Sequence, residues 1–327
     1  MIRNIILEST ERDFEINGVL NPGCYQEGEL VHMFYRAFDK EMKSSIGYAK
    51  LNKDNKIIER LDRPIIKRDF DYESFGVEDP RITKIDDLFY IFYVAYNGKN
   101  AVTAYATSPD LINIKKRGII TPLIPYKEVR DIMVDVPDSY LNHADLYIKN
   151  TGEDVLFWGK DILLFPEKIN GKFYLMIRVL PEIQIISFEK FEELNNDFWR
   201  NYFKNIKNSV VIKNEYDFEK RHIGGGCPPI KTPYGWLIIF HSVDNDRKYH
   251  TCAALLDLNN PLKVIGRLKE PLFSPLESWE KEGITPNVVF ATGSAIFGDK
   301  IKIYYGAADK RIAVTELSLK DLLKKLC

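Results

Sequence analysis

Cysteine is scarce in this chain: four among 327 residues (Cys24, Cys227, Cys252 and Cys327), with no CxxC pair and no Cys/His spacing of a zinc site. That scarcity excludes a disulfide framework and a thiolate metal centre and leaves reduced thiols; no metal is expected. Charge of one sign is lacking too. Lys and Arg number 46 against 47 Asp and Glu, for a net charge of −1, and no basic stripe stands out. Nucleic acids and membrane surfaces are therefore not expected as partners. There is no apolar run of the ~18 residues that a spanning helix needs. The opening "MIRNIILESTERDFEING" lacks the apolar stretch and small-residue cleavage site of a leader, so a cytoplasmic protein is expected. Helix-period segments are few. The clearest are "FEKFEELNNDFWRNYFK", residues 188–204, and the tail at 316–327.

What the chain has instead is aromatics, 18 Tyr and 19 Phe, set in short alternating runs between Gly, Asp and Asn turns. Five of these runs look alike: "EGELVHMFYRAFDK", "DDLFYIFYVAYNGKNAVTAYATS", "NGKFYLMIRVLPEIQIISF", "YGWLIIFHSVDNDRKYHTCAALLDL" and "GDKIKIYYGAADKRIAVTEL". Each reads as a turn, an apolar strand, a polar loop and a second strand, recurring at intervals of about 60 residues. The pattern predicts an all-β protein, a five-bladed β-propeller with minor helical segments, as one domain over residues 1–327. One interval is longer and holds a polar insertion, residues 120–155, that shows no clear period. A loop of that length covers a site or makes a contact in a homo-oligomer.

A propeller gathers its inner strands around one axis, where the pattern calls for hydrophobes. Charge recurs there instead. Arg36 follows "HMFY"; Glu78, Asp79 and Arg81 precede "YIFY"; Lys160 and Asp161 precede the third run, which ends in Arg178; His241 ends "WLIIF", with His222 upstream; Asp309 follows "YYGAA". Unpaired charge buried near an axis is costly, so five such positions in register predict a cluster that solvates a ligand. Carboxylates opposite cations suit acid catalysis beside an anion. The Gly224–Gly226 run would let backbone approach that ligand closely.

Several of these stretches carry a resemblance. "NPG" at 21–23, "FYRA" at 34–37, "GVEDPRI" at 76–82, "LFPEKINGK" at 164–172, "IGGGCPPIKTPYGWLIIFH" at 223–241, and "NVVFATGS" with "YYGAAD" at 287–309 together resemble glycoside hydrolase family 130. That family consists of β-mannoside phosphorylases and some β-mannosidases on a five-bladed propeller. The resemblance implies that Asp79, before Pro-Arg, is the general acid and that its proton reaches the leaving oxygen through the 3-hydroxyl of the mannose. It implies inorganic phosphate as co-substrate, with no cofactor, and a β-1,2- or β-1,4-mannoside as the small-molecule partner. Arg36, Lys160, His222 and His241 would bind phosphate. Asn21, Glu78, Arg81, Asp161, Arg178, Tyr249 and Asp309 would bind substrate.

The chain departs from the family pattern at three of these positions. Lys160 stands where several members have Arg, Asp161 where some have Asn, and His222 where some have Lys. Lysine keeps the charge and loses the planar fork, and histidine leaves only partial charge near neutral pH.

Phosphate is already an anionic nucleophile and needs cations; water needs a second carboxylate about 6.5–9.5 Å from the acid. One acid with a cation cluster thus predicts phosphorolysis that inverts the anomeric centre and yields α-mannose 1-phosphate. The alternative is an inverting β-mannosidase whose base comes from Glu280 or Glu282, residues that otherwise read as a solvated loop. A non-catalytic carbohydrate-binding propeller is the third reading, and the presence of Asp79 argues against it.

Overall fold

The structure, a computed structural model, describes residues 1–327. It is built from antiparallel strands in five successive groups. Strands Gly18–Glu27, Leu30–Phe38, Ser44–Asn52 and Ile57–Arg60 form the first, and Gly76–Ile85, Leu88–Tyr96, Ala101–Ser108 and Lys115–Ile119 the second. One parallel bridge, Ser44 to Gly76, joins these two groups. The third comprises Leu163–Leu164, Phe173–Val179, Glu182–Phe188 and Val210–Ile212. In the fourth, Gly235–Val243, Tyr249–Leu256 and Val264–Arg267 follow a split inner strand, His222–Gly225 and Ile230–Thr232. The fifth takes Val289–Phe297, Lys300–Ala307 and Arg311–Ser318 from the end of the chain. Its outer strand comes from the other end: Arg3–Leu7 pairs antiparallel with Arg311–Ser318.

Packing between the groups explains the near-continuous apolar runs. Strand neighbours point to opposite faces, and here both faces are covered. Leu237 and Ile239 pack toward the fifth group, while Ile238 and Phe240 pack toward the third. The same division holds in the first group, where Phe34 joins the second and Met33 and Tyr35 join the fifth. Five hydrophobic clusters result, one between each pair of consecutive groups and one between the last and the first.

The insertion corrects an expectation. Residues 120–155 contain two helices, α1 (Tyr126–Ile132) and α2 (Asp138–Thr151), not an aperiodic loop. Tyr126, Val129, Met133, Tyr140 and Ala144 are buried in the core between the second and third groups. Their spacing of three and four residues is helical, but the polar residues between them hide it. The segment at 188–204 is shorter as a helix than its period suggested: α3 spans Asn196–Lys204, where Asn195 caps the backbone N–H groups of Asp197 and Phe198. A short turn, α4, covers Ser278–Lys281, and the tail forms α5, Leu319–Leu326. No helix is long and apolar enough to cross a membrane.

Glu280 on α4 is fully buried and fully engaged. Its carboxylate accepts from Arg3 at 2.6 Å, from the N–H groups of Leu276 and Glu277 at 2.6 and 2.9 Å, and from the Tyr305 hydroxyl at 2.7 Å. It is neither solvated nor a free base; it pins the N-terminal strand to the fifth group. Removing one partner of a buried pair costs about 3–5 kcal/mol. Glu280→Ala is therefore expected to lower unfolding free energy by about that amount in urea titrations. Arg3→Ala should give a loss of similar size, and a double variant should lose much less than the sum.

Candidate active site

The inner strands of the first and second groups each carry a break in register, between Leu20 and Gly23 and between Glu78 and Arg81. These are β-bulges, which re-aim a side chain out of the alternating pattern. The residue lifted out is Asn21 in "NPG" and Asp79 in "DPR". Both adopt left-handed backbone, φ 47° and 49°, a region that Asn and Asp tolerate best among residues with a side chain. Asp161 (φ 57°) and Asp309 (φ 53°) share that conformation in the third and fifth groups. The site's polar side chains thus come from positions that break strand geometry.

They converge on a cavity of about 300 Å³. It is lined by Asn21, Arg36, Asp79, Lys160, Asp161, Arg178, His222, His241, Tyr249 and Asp309, ten of the twelve residues singled out in the sequence. The other two stand behind the wall. Glu78, 2% exposed, accepts from Arg36 Nη2 at 2.6 Å on one oxygen and from Lys160 Nζ at 3.2 Å on the other. Arg81 donates from Nε to the Gly226 carbonyl at 2.6 Å and from Nη1 to the Asp79 carbonyl at 3.0 Å. Neither lines the cavity: Glu78 supports two cations and Arg81 the bulge that carries Asp79.

Asp79 accepts from Asn21 Nδ2 at 2.8 Å and lies 3.6 Å from Arg36 Nη1. Burial alone would raise its carboxyl, but Arg36, Lys160, Arg81 and the Asn21 hydrogen bond outweigh burial and hold it below the usual aspartate value. Asp309 has the opposite balance: burial pushes its carboxyl up, only partly offset by a hydrogen bond from Thr285 and by Arg36. Asp161 is ion-paired with Arg178 Nη1 at 2.6 Å. The acid that stands where some family members have Asn is therefore neutralised in place.

The histidines differ from the sequence expectation. Burial, with Arg178 next in order, drives His222 well below the ordinary imidazole value, and burial lowers His241 to about 4. Both are neutral near pH 7. His241 donates from Nδ1 to the Gly225 carbonyl at 3.3 Å, which leaves Nε2 as a bare acceptor without a partner. Neither ring adds positive charge to the cavity. Tyr249 stacks on His241 with centroids 5.7 Å apart, and Phe290 meets its edge at 4.7 Å.

Buried side-chain polar atoms without any partner gather in this cluster, on Asn21, Arg36, Arg81, Arg178 and His241. Buried polar groups are ordinarily satisfied, so this concentration marks a place built for a polar ligand. A roomier groove of about 540 Å³ lies beside the cavity, lined by Trp279, Glu282 and Lys310 among others, and none of the converging residues faces it. Glu282 is thus outside the cavity that holds Asp79.

Six lining residues escaped the sequence reading: Tyr147, Trp158, Leu180, Thr285, Val288 and Phe290. Tyr147 comes from α2, so the insertion does cover the site. Its ring packs 4.9 Å from Trp158, and Lys160 lies over the Trp158 ring at 5.3 Å. Only the helical spacing of Tyr140, Ala144 and Tyr147 could have signalled this.

Known proteins identify the set. The family model described as beta-1,4-mannooligosaccharide phosphorylase, glycoside hydrolase family 130, matches residues 9–327. The chain belongs to this family. It is 34% identical to a 1,2-beta-oligomannan phosphorylase of Thermoanaerobacter sp. (strain X514), over 97% of this chain and 96% of that one. A beta-1,2-mannobiose phosphorylase of the same organism is 35% identical over 93% of this chain and 91% of its own. Among solved structures, the beta-1,2-mannobiose phosphorylase of Listeria innocua superposes with a TM-score of 0.75 at 24% identity, covering 98% of this chain and 95% of that one.

Gly224 faces His241 across the ladder. A β-carbon there would lie 2.4 Å from His241 Cε1 and 2.8 Å from Arg178 Cδ. Gly224→Ala must displace both side chains, an overpacking of about 1–3 kcal/mol. The expected outcome is a fall in kcat/KM of about ten-fold or more, measured by initial rates on a variant whose circular dichroism matches wild type.

Proposed function

We propose that this member of family 130 is a β-mannoside phosphorylase, which cleaves β-1,2-linked mannosides with inorganic phosphate and inverts the anomeric centre to release α-mannose 1-phosphate. The carrying observation is that Asp79 shares a single cavity with the cations Arg36, Lys160 and Arg178, while of the other two wall acids Asp161 is ion-paired with Arg178 and Asp309 is shifted toward its protonated form. The β-1,2 linkage rests on the names of the two Thermoanaerobacter relatives that match over more than nine-tenths of this chain. The five strand groups are read as the blades of a five-bladed propeller. The cyclic order of the hydrophobic clusters and the N-terminal strand that completes the last group support that reading.

In this mechanism Asp79 delivers its proton, by way of the sugar 3-hydroxyl, to the leaving oxygen. Phosphate attacks the opposite face of the anomeric carbon. Arg36 offers a planar fork for two phosphate oxygens, with Nε still unpartnered, and Lys160 offers a point charge. His222 and His241 take part as neutral hydrogen-bonding groups, not as cations. Asp309, shifted toward its protonated form, suits contact with a sugar hydroxyl, and the rings of Tyr147, Trp158 and Tyr249 supply apolar faces for the sugar. Hydrolysis would call for a free base, yet Asp161 is paired, burial shifts Asp309 toward its protonated form, and Glu280 is buried in a structural network. A cytoplasmic setting fits the reading, since Cys24, Cys227, Cys252 and Cys327 are all unpaired thiols and a sugar phosphate product is retained by a membrane.

The deciding experiment is incubation with β-1,2- and β-1,4-mannobiose, with and without phosphate, assaying mannose 1-phosphate and free mannose. Phosphate-dependent mannose 1-phosphate from the β-1,2 dimer is expected; free mannose at a rate indifferent to phosphate would reject phosphorolysis. Asp79→Asn should lower kcat by roughly 10²–10⁴-fold. Arg36→Ala should raise KM for phosphate by about ten-fold or more, the loss of one charged hydrogen bond, and leave KM for the sugar much less changed.

A further inference from the structure

The cavity wall carries as much negative as positive charge. Arg36, Lys160 and Arg178 face it, and so do Asp79, Asp161 and Asp309. Behind the wall Glu78 adds one acid and Arg81 one cation. Every cation in the wall already has a carboxylate: Arg36 has Glu78 and Asp79, Lys160 has Glu78, and Arg178 has Asp161. The two histidines bring no charge. A phosphate dianion entering this site meets no uncompensated cation, and two unbalanced negative charges in a largely desolvated cavity are costly.

Either a carboxylate swings away or a proton comes in. Glu78 cannot swing, being buried with both oxygens held, and Asp161 is held by Arg178 at 2.6 Å. Asp79 and Asp309 remain. Asp309 alone among the wall carboxylates has no ion-pair partner, and both acids sit in the field of Arg36 and Lys160. The groups facing Asp79 are Asn21, Arg36, Lys160, Arg81 and Asp309, while Asp309 faces Thr285, Arg36, Asp79, Lys160 and the Tyr249 hydroxyl.

We propose that phosphate enters this site together with one proton, and that the Asp79–Asp309 pair holds that proton until the glycosidic bond breaks. The inference rests on the phosphorylase reading and adds a step to it. The cations that keep Asp79 ionised in the empty site are the ones phosphate would engage. Once their charge is spent on the anion, burial prevails and a carboxyl of the pair protonates. The acid is thereby armed only when the nucleophile is present. The balance closes: hydrogen phosphate and one solvent proton enter; the carboxyl proton passes to the leaving sugar oxygen as its bond to the anomeric carbon breaks and the phosphate oxygen bonds there. The phosphate's own proton returns to solvent with the departing mannose 1-phosphate dianion, so no net proton is consumed.

The test is calorimetric titration of the intact protein with inorganic phosphate at pH 8, in buffers of different ionisation enthalpy. The slope of observed against buffer enthalpy counts protons taken up. Close to one per bound phosphate is expected for wild type, falling to half or less in Asp79→Asn and Asp309→Asn. Undiminished uptake in both variants would put the proton on the phosphate and overturn the proposal. So would phosphate binding with a slope of zero, which leaves phosphorolysis standing. Absence of both phosphate binding and mannose 1-phosphate release would remove the phosphorylase reading itself, and this step with it. Should either variant fail to fold, wild-type affinity for sulfate, a dianion that cannot carry the proton itself, decides between pH 8 and 9: a ten-fold weakening per pH unit is expected, and a flat profile rejects the coupling.

Discussion

Glu78 is the constraint on which the site depends. One buried carboxylate holds Arg36 with one oxygen and Lys160 with the other, so two cations from different strand groups keep a fixed separation with no ligand between them. Without that bridge two like charges would face each other across a partly desolvated cavity. The bridge also sets the limits of the site. It uses up the charge it positions, so the cavity is electrically balanced, and an anion that enters must compete for the same cations.

The scaffold supplies this arrangement through irregularity at fixed places. Two-faced burial of the inner strands leaves no freedom to tilt a side chain toward the centre, since each alternate residue belongs to one cluster or the next. Only a break in the ladder can do so. The bulges at Asn21 and Asp79 are such breaks, and the Asn21 to Asp79 hydrogen bond ties one to the other. Gly306 belongs to the same economy, because a β-carbon there would sit 2.3 Å from Asn21 Oδ1. The left-handed conformations of Asp161 and Asp309 extend the rule to other groups. Strain of this kind persists where surrounding packing over-determines it, and five flanking cores provide that packing.

Much of this was legible in the sequence because it is periodic or chemically odd. Alternating apolar runs announced the strands, charge at positions that should be apolar announced eight of the lining residues, and the family resemblance added Asn21 and Tyr249. Legibility failed in three physical circumstances. Helices α1 and α2 escaped because only a narrow stripe of each is apolar, with polar residues filling the turns between. Glu78 and Arg81 looked like ligand contacts because sequence reports that a charge is buried, not which side of a wall it faces. Glu280 looked like solvated loop because its partners, Arg3 and Tyr305, are remote in the chain.

The histidines show why charge cannot be assigned by residue type. At positions 222 and 241 a family comparison invites counting two more cations. Burial removes both, and His241 commits Nδ1–H to a carbonyl, which leaves a lone pair on Nε2, a buried atom 3.9 Å from Asp161 Oδ2. A lone pair repels a bare phosphate oxygen and accepts from a hydroxyl, whether on a sugar or on a protonated phosphate oxygen. In the proposed mechanism the residue would therefore contribute a directional acceptor and no charge, which Lys or Arg at the same place could not do. A site with balanced charge and a directional acceptor reads its ligands by where their protons are, as a reaction that moves one proton between two oxygens requires.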